Sequence, residues 1–394
     1  MVDSESPSAA RVLQLVASGA ASSRTELATA LGVAQSTVSL RVQELLRAGV
    51  LTETGHGRSQ GGRRPRTLAV AAEAGYVCMA DLGGAHTRIG VLDIGGRLLH
   101  SEEIPLGAGE SPQATLDALH DAVHTMLDTV RPSGVLLGAG IGLPGPVQDG
   151  AVTLPSRMPG WRGFDAAHAL RRTFDCPVVV DNDANLMAIG EARVTNRGKE
   201  NLVVVKAGSG IGSGVIVGGA LYRGNDNASG DISHMRVAAG ADLPCSCGIR
   251  GCFAAVASGA ALVEQLRAKG MAVESTSDVV RAAENAEPEV ITTVRAAGSL
   301  LGEVLATIVN FFNPDAVLLG GALSTSEAYV AAVRAGLYDR CLPLSTRNLE
   351  ISRVRTGADA GLFGAGLLVL DTVLDERLAA LADSRTEPDE KAGV

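Results

Sequence analysis

Apolar residues recur at helical spacing three times within the first fifty positions. Val12, Leu15 and Val16 predict a helix near residues 8–18. Leu27, Ala28 and Leu31 line a second, which Ser23 and Glu26 open as a capping box and Gly32 closes. Val38, Val42, Leu45 and Leu46 mark a third, from about Ala34 to Gly49. Three short helices with a tight turn before the last predict a helix-turn-helix, whose final helix presents its N-terminal residues to a major groove. Gln35, Ser36, Thr37, Ser39 and Arg41 are the candidate contacts to bases and phosphates. Val50–Thr54 and Thr67–Val70 read as the two strands of a wing. The glycine-rich loop between them carries Arg58, Arg63, Arg64 and Arg66, suited to a narrow minor groove or its flanking phosphates.

From Tyr76 the texture changes to short strands rich in Val, Ile and Gly, alternating with helices rich in Ala and Leu. Three strands are predicted from Tyr76 to Ile104, turning at Gly83-Gly84 and Gly95-Gly96. A helix (about 112–130), a strand, a helix (about 165–173), the strand Pro177–Asp183 and a helix from about Ala184 follow. A second round begins at Asn201 with three more strands, then helices, the strand Asp315–Leu323, a strand near 349–354 and a terminal helix of about 358–382. Two rounds of β-β-β-α-β-α predict a duplicated α/β fold with a cleft between two lobes. The expected organisation is a head at 1–75, a body at 76–382 and a flexible tail at 383–394.

Charge sharpens the division. Residues 11–70 hold eight arginines against three glutamates, although the whole chain carries a net charge of −9. A basic head on an acidic body predicts that the head alone seeks a polyanion such as double-stranded DNA. The first twenty residues lack the basic start of a signal peptide, and no apolar run approaches the ~20 residues of a membrane helix. Both point to a cytoplasmic protein away from the membrane.

Four groups of residues carry candidate chemistry. Asp81 ends a strand beside Gly83 and Gly84, and Gly208, Gly210 and Gly212 form a second glycine hairpin. Backbone N–H groups there can reach an anion such as a nucleotide phosphate, glycine allowing close approach and positive φ. Asp183 follows a strand and opens a helix, where a carboxylate either caps the helix or acts as general base on a substrate hydroxyl that Asn182 would hydrogen-bond. Cys245, Cys247 and Cys252, with His234 upstream, offer three thiolates and an imidazole: a closed, structural Zn2+ site. Asp231 lies on the same loop as that histidine.

These motifs, "DLGGAHTRIG", "GIGLPGPV", "DNDANLMAIGEA", "GSGIGSGVIVGG", the His-plus-Cys cluster and "VLLGGALS", run in the order seen in the ROK family, which the chain resembles over about residues 76–380. The resemblance implies an actin-like, hexokinase-like (RNase H-like) body, with Asp183 at the position of the kinases' catalytic base. It makes Asp231 and His234 a sugar-facing pair, with the acid one methylene shorter than the kinases' glutamate. It also places Ala254 where the kinases carry a glutamate that binds a sugar hydroxyl, and Arg162 where they often carry asparagine. An arginine facing the cleft would suit an anionic effector.

With the winged head attached, the chain looks like the family's regulators. The expected function is transcriptional regulation, as a repressor of carbohydrate genes, by a homo-dimer or tetramer on a two-fold symmetric operator with a sugar or sugar-derived effector. The alternative is an ATP- and Mg2+-dependent sugar kinase with an accessory DNA-binding head.

Overall fold

The computed structural model describes residues 7–56, 66–109, 111–153, 158–195 and 198–383. In the head, α1 (Ala9–Ala17), α2 (Arg24–Leu31) and α3 (Gln35–Arg47) pack around Leu13, Leu27, Val38, Val42 and Leu45, all fully buried. Ser23 caps α2 by accepting from the Glu26 N–H, but the Glu26 carboxylate reaches back to Ser22 rather than to Ser23. Gly32 ends α2 in the left-handed region, at φ +66°, and so sets the turn into α3. The wing strands β1 (Leu51–His56) and β2 (Arg66–Val70) pair antiparallel. Arg58, Arg63 and Arg64 lie outside the described residues, as does the tail beyond Asp383.

The body repeats one plan twice. The first lobe contains β3 (Tyr76–Leu82), β4 (Thr87–Asp93), β5 (Leu98–Ile104), α4 (Pro112–Val130) and β6 (Leu136–Leu143). A short hairpin of β7 (Val147–Gln148) and β8 (Ala151–Val152) precedes α5 (Ala166–Phe174), β9 (Val178–Asn182) and α6 (Asp183–Val194). The second lobe opens with β10 (Leu202–Ala207), β11 (Ile211–Val217) and β12 (Ala220–Leu221). Helices α7 (Ala254–Ala257), α8 (Gly259–Ala268), α9 (Thr276–Glu284) and α10 (Pro288–Phe312) follow. The chain then runs through β13 (Ala316–Gly320), α11 (Glu327–Arg340), α12 (Pro343–Thr346), β14 (Glu350–Arg353) and α13 (Ala360–Asp383). The strand orders are β5-β4-β3-β6-β9 and β12-β11-β10-β13-β14. In each sheet the opening strand is antiparallel to its hairpin partner and parallel to the strand that returns after the helices.

Helices α6 and α13 lie between the two sheets, α6 against β10 and β11, α13 against β3 and β6. They cross closely: a methyl group on Gly364 would stand 1.8 Å from the Leu186 carbonyl, and one on Gly190 would stand 2.2 Å from that of Ala360. Only glycine fits at this crossing. By length and composition, Pro288–Phe312 and Gly357–Ala379 are apolar enough to cross a membrane, against the expectation from the sequence. Their apolar residues are instead spent on protein neighbours, α10 on α11 and α13 on α6 and the first sheet.

The head does not hang on a tether. Val12, Leu15 and Leu68 share one continuous apolar core with Val77, Leu92, Leu370 and Leu374 of the body. Burying such side chains is worth about 1.5–3 kcal/mol each, so head and first lobe stand as one unit.

Candidate functional site

On α3 the buried residues Val38, Val42 and Leu45 occupy one side, and Ser36, Leu40, Gln43 and Arg47 stand exposed on the other. At 100° per residue these four fall within one narrow stripe. Gln35 is exposed at the helix start and donates to Thr25, while Thr37 and Ser39 are half-buried. Arg41, expected among the DNA contacts, faces the protein instead. It pairs with Glu44 at 3.2 Å, its side chain is 17% exposed, and its charge acts on Asp375 of α13. The reason is angular: residue 41 sits beside the buried face. Arg66 is exposed and pairs with Glu53, which also holds Arg24 at 3.0 Å. Leu40, Gln43 and Arg47 were passed over in the sequence, although stepping round from the apolar face finds them.

A cavity of about 520 Å³ opens between the lobes, within the usual range for small-molecule sites. The two glycine hairpins face each other across it, Gly83 and Gly84 on one side, Gly208, Gly210 and Gly212 on the other. A methyl on Gly84 would lie 3.1 Å from Ser209 Oγ, and one on Gly83 would lie 2.6 Å from the His86 carbonyl. Close approach is therefore the reason for the first pair. The expected positive φ is not found at Gly83, Gly84, Gly208 or Gly212.

Asn182, Asp183, Asp231, His234 and Ala254 line the same cavity. The helix cap is Asn182, whose Oδ1 accepts from the Ala184 and Asn185 N–H groups. Its amide nitrogen donates to the Gly145 carbonyl at 3.0 Å and to Asp183 at 3.2 Å, so the side chain is already committed. Asp183 is the first helical residue, and its Oδ2 pairs with Lys206 at 2.9 Å. Lys206 in turn donates to both oxygens of Asp81 at 2.9 Å. Burial by itself would lower the Lys206 ammonium, but the carboxylates of Asp183 and Asp81 more than reverse this and hold it raised. Asp81 is raised, first by burial. The Asp231 carboxylate turns back to accept from Ser233. Arg162, expected at the cleft, is exposed and outside the cavity lining: Trp161 turns inward to donate to the Gly109 carbonyl at 2.9 Å, which sends its neighbour outward.

Beside the cavity, His234, Cys245, Cys247 and Cys252 bring their donor atoms within 4.8 Å of one another. His234 Nδ1 is 3.6 Å from Cys245 Sγ, and Cys247 Sγ is 3.6 Å from Cys252 Sγ. A tetrahedral ion with bonds of ~2.0–2.3 Å needs ligand separations near these. Donor types and spacing both fit a metal. The loop reaches this shape through Gly248 and Gly251, at φ +89° and +84°. Cys252 is the anchor, fully buried and bridged to Arg236.

A winged helix-turn-helix fused to a two-lobed, kinase-like body is the architecture of a ligand-responsive regulator. The chain belongs to the ROK family, which it matches over residues 76–372, and residues 5–54 match a helix-turn-helix domain. It is 31% identical over 357 residues to the xylose repressor of Bacillus spizizenii, covering 90% of this chain and 92% of that one. It is 27% identical over 307 residues to a glucokinase of Halalkalibacterium halodurans, covering 73% and 93%. Among solved structures, a ROK family transcriptional regulator homologous to the Escherichia coli Mlc protein superposes with a TM-score of 0.75 at 22% identity, covering 94% and 98%. A ROK family glucokinase from Streptomyces griseus, in complex with glucose and AMPPNP, superposes with a TM-score of 0.67 at 27% identity, covering 74% and 98%. The kinase matches cover about three quarters of this chain, the regulator matches nine-tenths or more.

Proposed function

We propose that this chain is a sugar-responsive DNA-binding repressor, in which α3 enters the major groove and the interlobe cavity takes the effector. The observation that carries this reading is the pairing, in one chain, of a helix with an exposed Ser36–Leu40–Gln43–Arg47 stripe and a kinase-like cavity. Ser36 and Gln43 supply hydrogen bonds to base edges, Leu40 an apolar contact suited to a thymine methyl, and Arg47 a phosphate contact. Zn2+ is the metal the Cys3His cluster suits. It would fix the 231–252 loop that carries Asp231 and His234 to the cavity wall. Because a repressor's operator is ordinarily two-fold symmetric, the working form is a homo-oligomer, at least a dimer.

The test is fluorescence anisotropy on a duplex from the chain's own promoter region, titrated with xylose and glucose. Binding that a sugar weakens supports the reading. Binding that survives deletion of residues 1–75, or that no sugar alters, refutes it.

The facing glycine hairpins favour a second reading, phosphoryl transfer from ATP to a sugar with Asp183 as base. Sugar-dependent ADP release abolished by Asp183→Ala would establish it.

A further inference from the structure

Lys206 is the last but one residue of the otherwise apolar strand β10. Val203, Val205 and Ala207 point into the core beneath α8 and α10, while Leu202 and Val204 point the other way, beneath α6. Lys206 shares the face of Leu202 and Val204, so an ammonium stands where the period of the strand calls for an apolar side chain. Its nitrogen lies 2.9 Å from both oxygens of Asp81 on the first lobe and 2.9 Å from Asp183 Oδ2 at the start of α6. The side chains are 19%, 10% and 16% exposed, so water screens the cluster little. The remaining Asp183 oxygen accepts from the Ala184 N–H at 2.8 Å and from Asn182 at 3.2 Å. Asp81 is also closed from behind, where a methyl on Gly361 would stand 2.5 Å from Oδ2. No oxygen of either carboxylate is left over.

A hard divalent cation such as Mg2+ binds through carboxylate oxygens, and a general base needs one free to take a proton. Here the ammonium already holds three of the four oxygens, so a divalent cation would have to displace it and the residues as they stand do not fit the metal. Among the described residues lining the cavity, Lys206 is the one Lys or Arg, against Asp183, Asp231 and Glu264. With that cation neutralised internally, the wall offers a phosphate or a carboxylate no unpaired Lys or Arg charge, only the backbone N–H groups of its glycine hairpins.

We propose that Lys206 is a built-in cation occupying the place of a divalent metal between Asp81 and Asp183, so that the cavity selects an uncharged polyol and holds it without phosphorylating it. The ligand class rests on the sugar-responsive reading above; the exclusion of metal rests on the Lys206 geometry alone.

The experiment is Mn2+ titration of the full chain, followed by electron paramagnetic resonance, which requires neither sugar nor DNA and so separates this proposal from that reading. The wild type should show no Asp81-dependent site. Lys206→Met, close in shape and uncharged, should acquire one Mn2+ site at least ~100-fold tighter, which Asp81→Asn in the same chain removes. Lys206→Arg should remain without it. A wild-type Mn2+ site that Asp81→Asn abolishes overturns the proposal whether or not Lys206→Met folds. So does a Lys206→Met chain with the wild-type circular dichroism spectrum and no gained site.

Discussion

Restoring one carboxylate at the cavity tests whether it is a sugar site. Ala254 begins α7, is half-buried, and presents its methyl to the cavity, with its N–H held by the Ser233 carbonyl at 2.9 Å. Ala254→Glu places an acid on the wall that already carries Asp231 and His234. A hydrogen bond from a sugar hydroxyl to a charged acceptor contributes about 1.5–3 kcal/mol, a gain of ~10–100-fold in affinity. Ala254→Gln, a neutral acceptor, contributes nearer ~1 kcal/mol, about fivefold. Because the position is half open to solvent, stability should shift by no more than about 0.5 kcal/mol. Isothermal titration calorimetry with xylose and glucose reads the affinities, and thermal melting checks the fold. A folded Ala254→Glu chain whose sugar affinity equals or falls below the wild type would refute the assignment of this wall.

Arg47→Ala should weaken binding to all duplexes alike and lower the slope of log K against log salt by about 1, measured by anisotropy from low to physiological salt. Arg41→Ala should leave that slope unchanged while lowering stability by about 1 kcal/mol, since its charge faces Glu44 and Asp375 of α13; a loss of slope equal to that of Arg47→Ala would contradict its placement. If the cluster holds the proposed Zn2+, elemental analysis should find that metal in the wild type and lose it in Cys247→Ser, at a cost of about 3 kcal/mol or more of stability. Glu350 is lowered to about 2, chiefly by the hydrogen bond from Lys199 and next by Ser352. A depressed carboxyl stabilises the fold above its ordinary value of 4.5 and loses that contribution as pH falls toward 2. Glu350→Gln should therefore remove about 1 kcal/mol of stability at pH 7, after screening of a pair about 30% exposed, and flatten the acid limb of the Tm–pH curve.

What the sequence made legible was periodic or clustered. The three head helices follow from the spacing of Val12, Leu27 and Val38 with their neighbours, and the duplicated sheets from glycine turns between apolar strands. The metal-ligand cluster was legible because three thiols fall within eight residues. Lys206 escaped notice because it ends an apolar run and its partner Asp81 lies 125 positions away. Arg41 is a similar case: a groove contact and a contact with α13 look alike until the terminal helix is packed against the head. Arg162 turns outward because of Trp161, and the order of the two residues alone does not say which one faces the cleft.

The packing also limits how a ligand can reach the DNA. The second sheet carries one glycine hairpin to the far side of the cavity, whereas the head shares its core with the first lobe and α13. Within one chain, then, closure cannot swing the head away from the lobe it stands on without exposing Leu13, Val77 and Leu374 to water, at about 1.5–3 kcal/mol for each side chain. A ligand must instead favour one lobe arrangement over another. In the homo-oligomer proposed above, such a change is expected to reach the other chain wherever the second lobe contacts it. The effector is thus expected to change the distance and angle between two intact heads, so that each still fits a half-site while the pair no longer spans both.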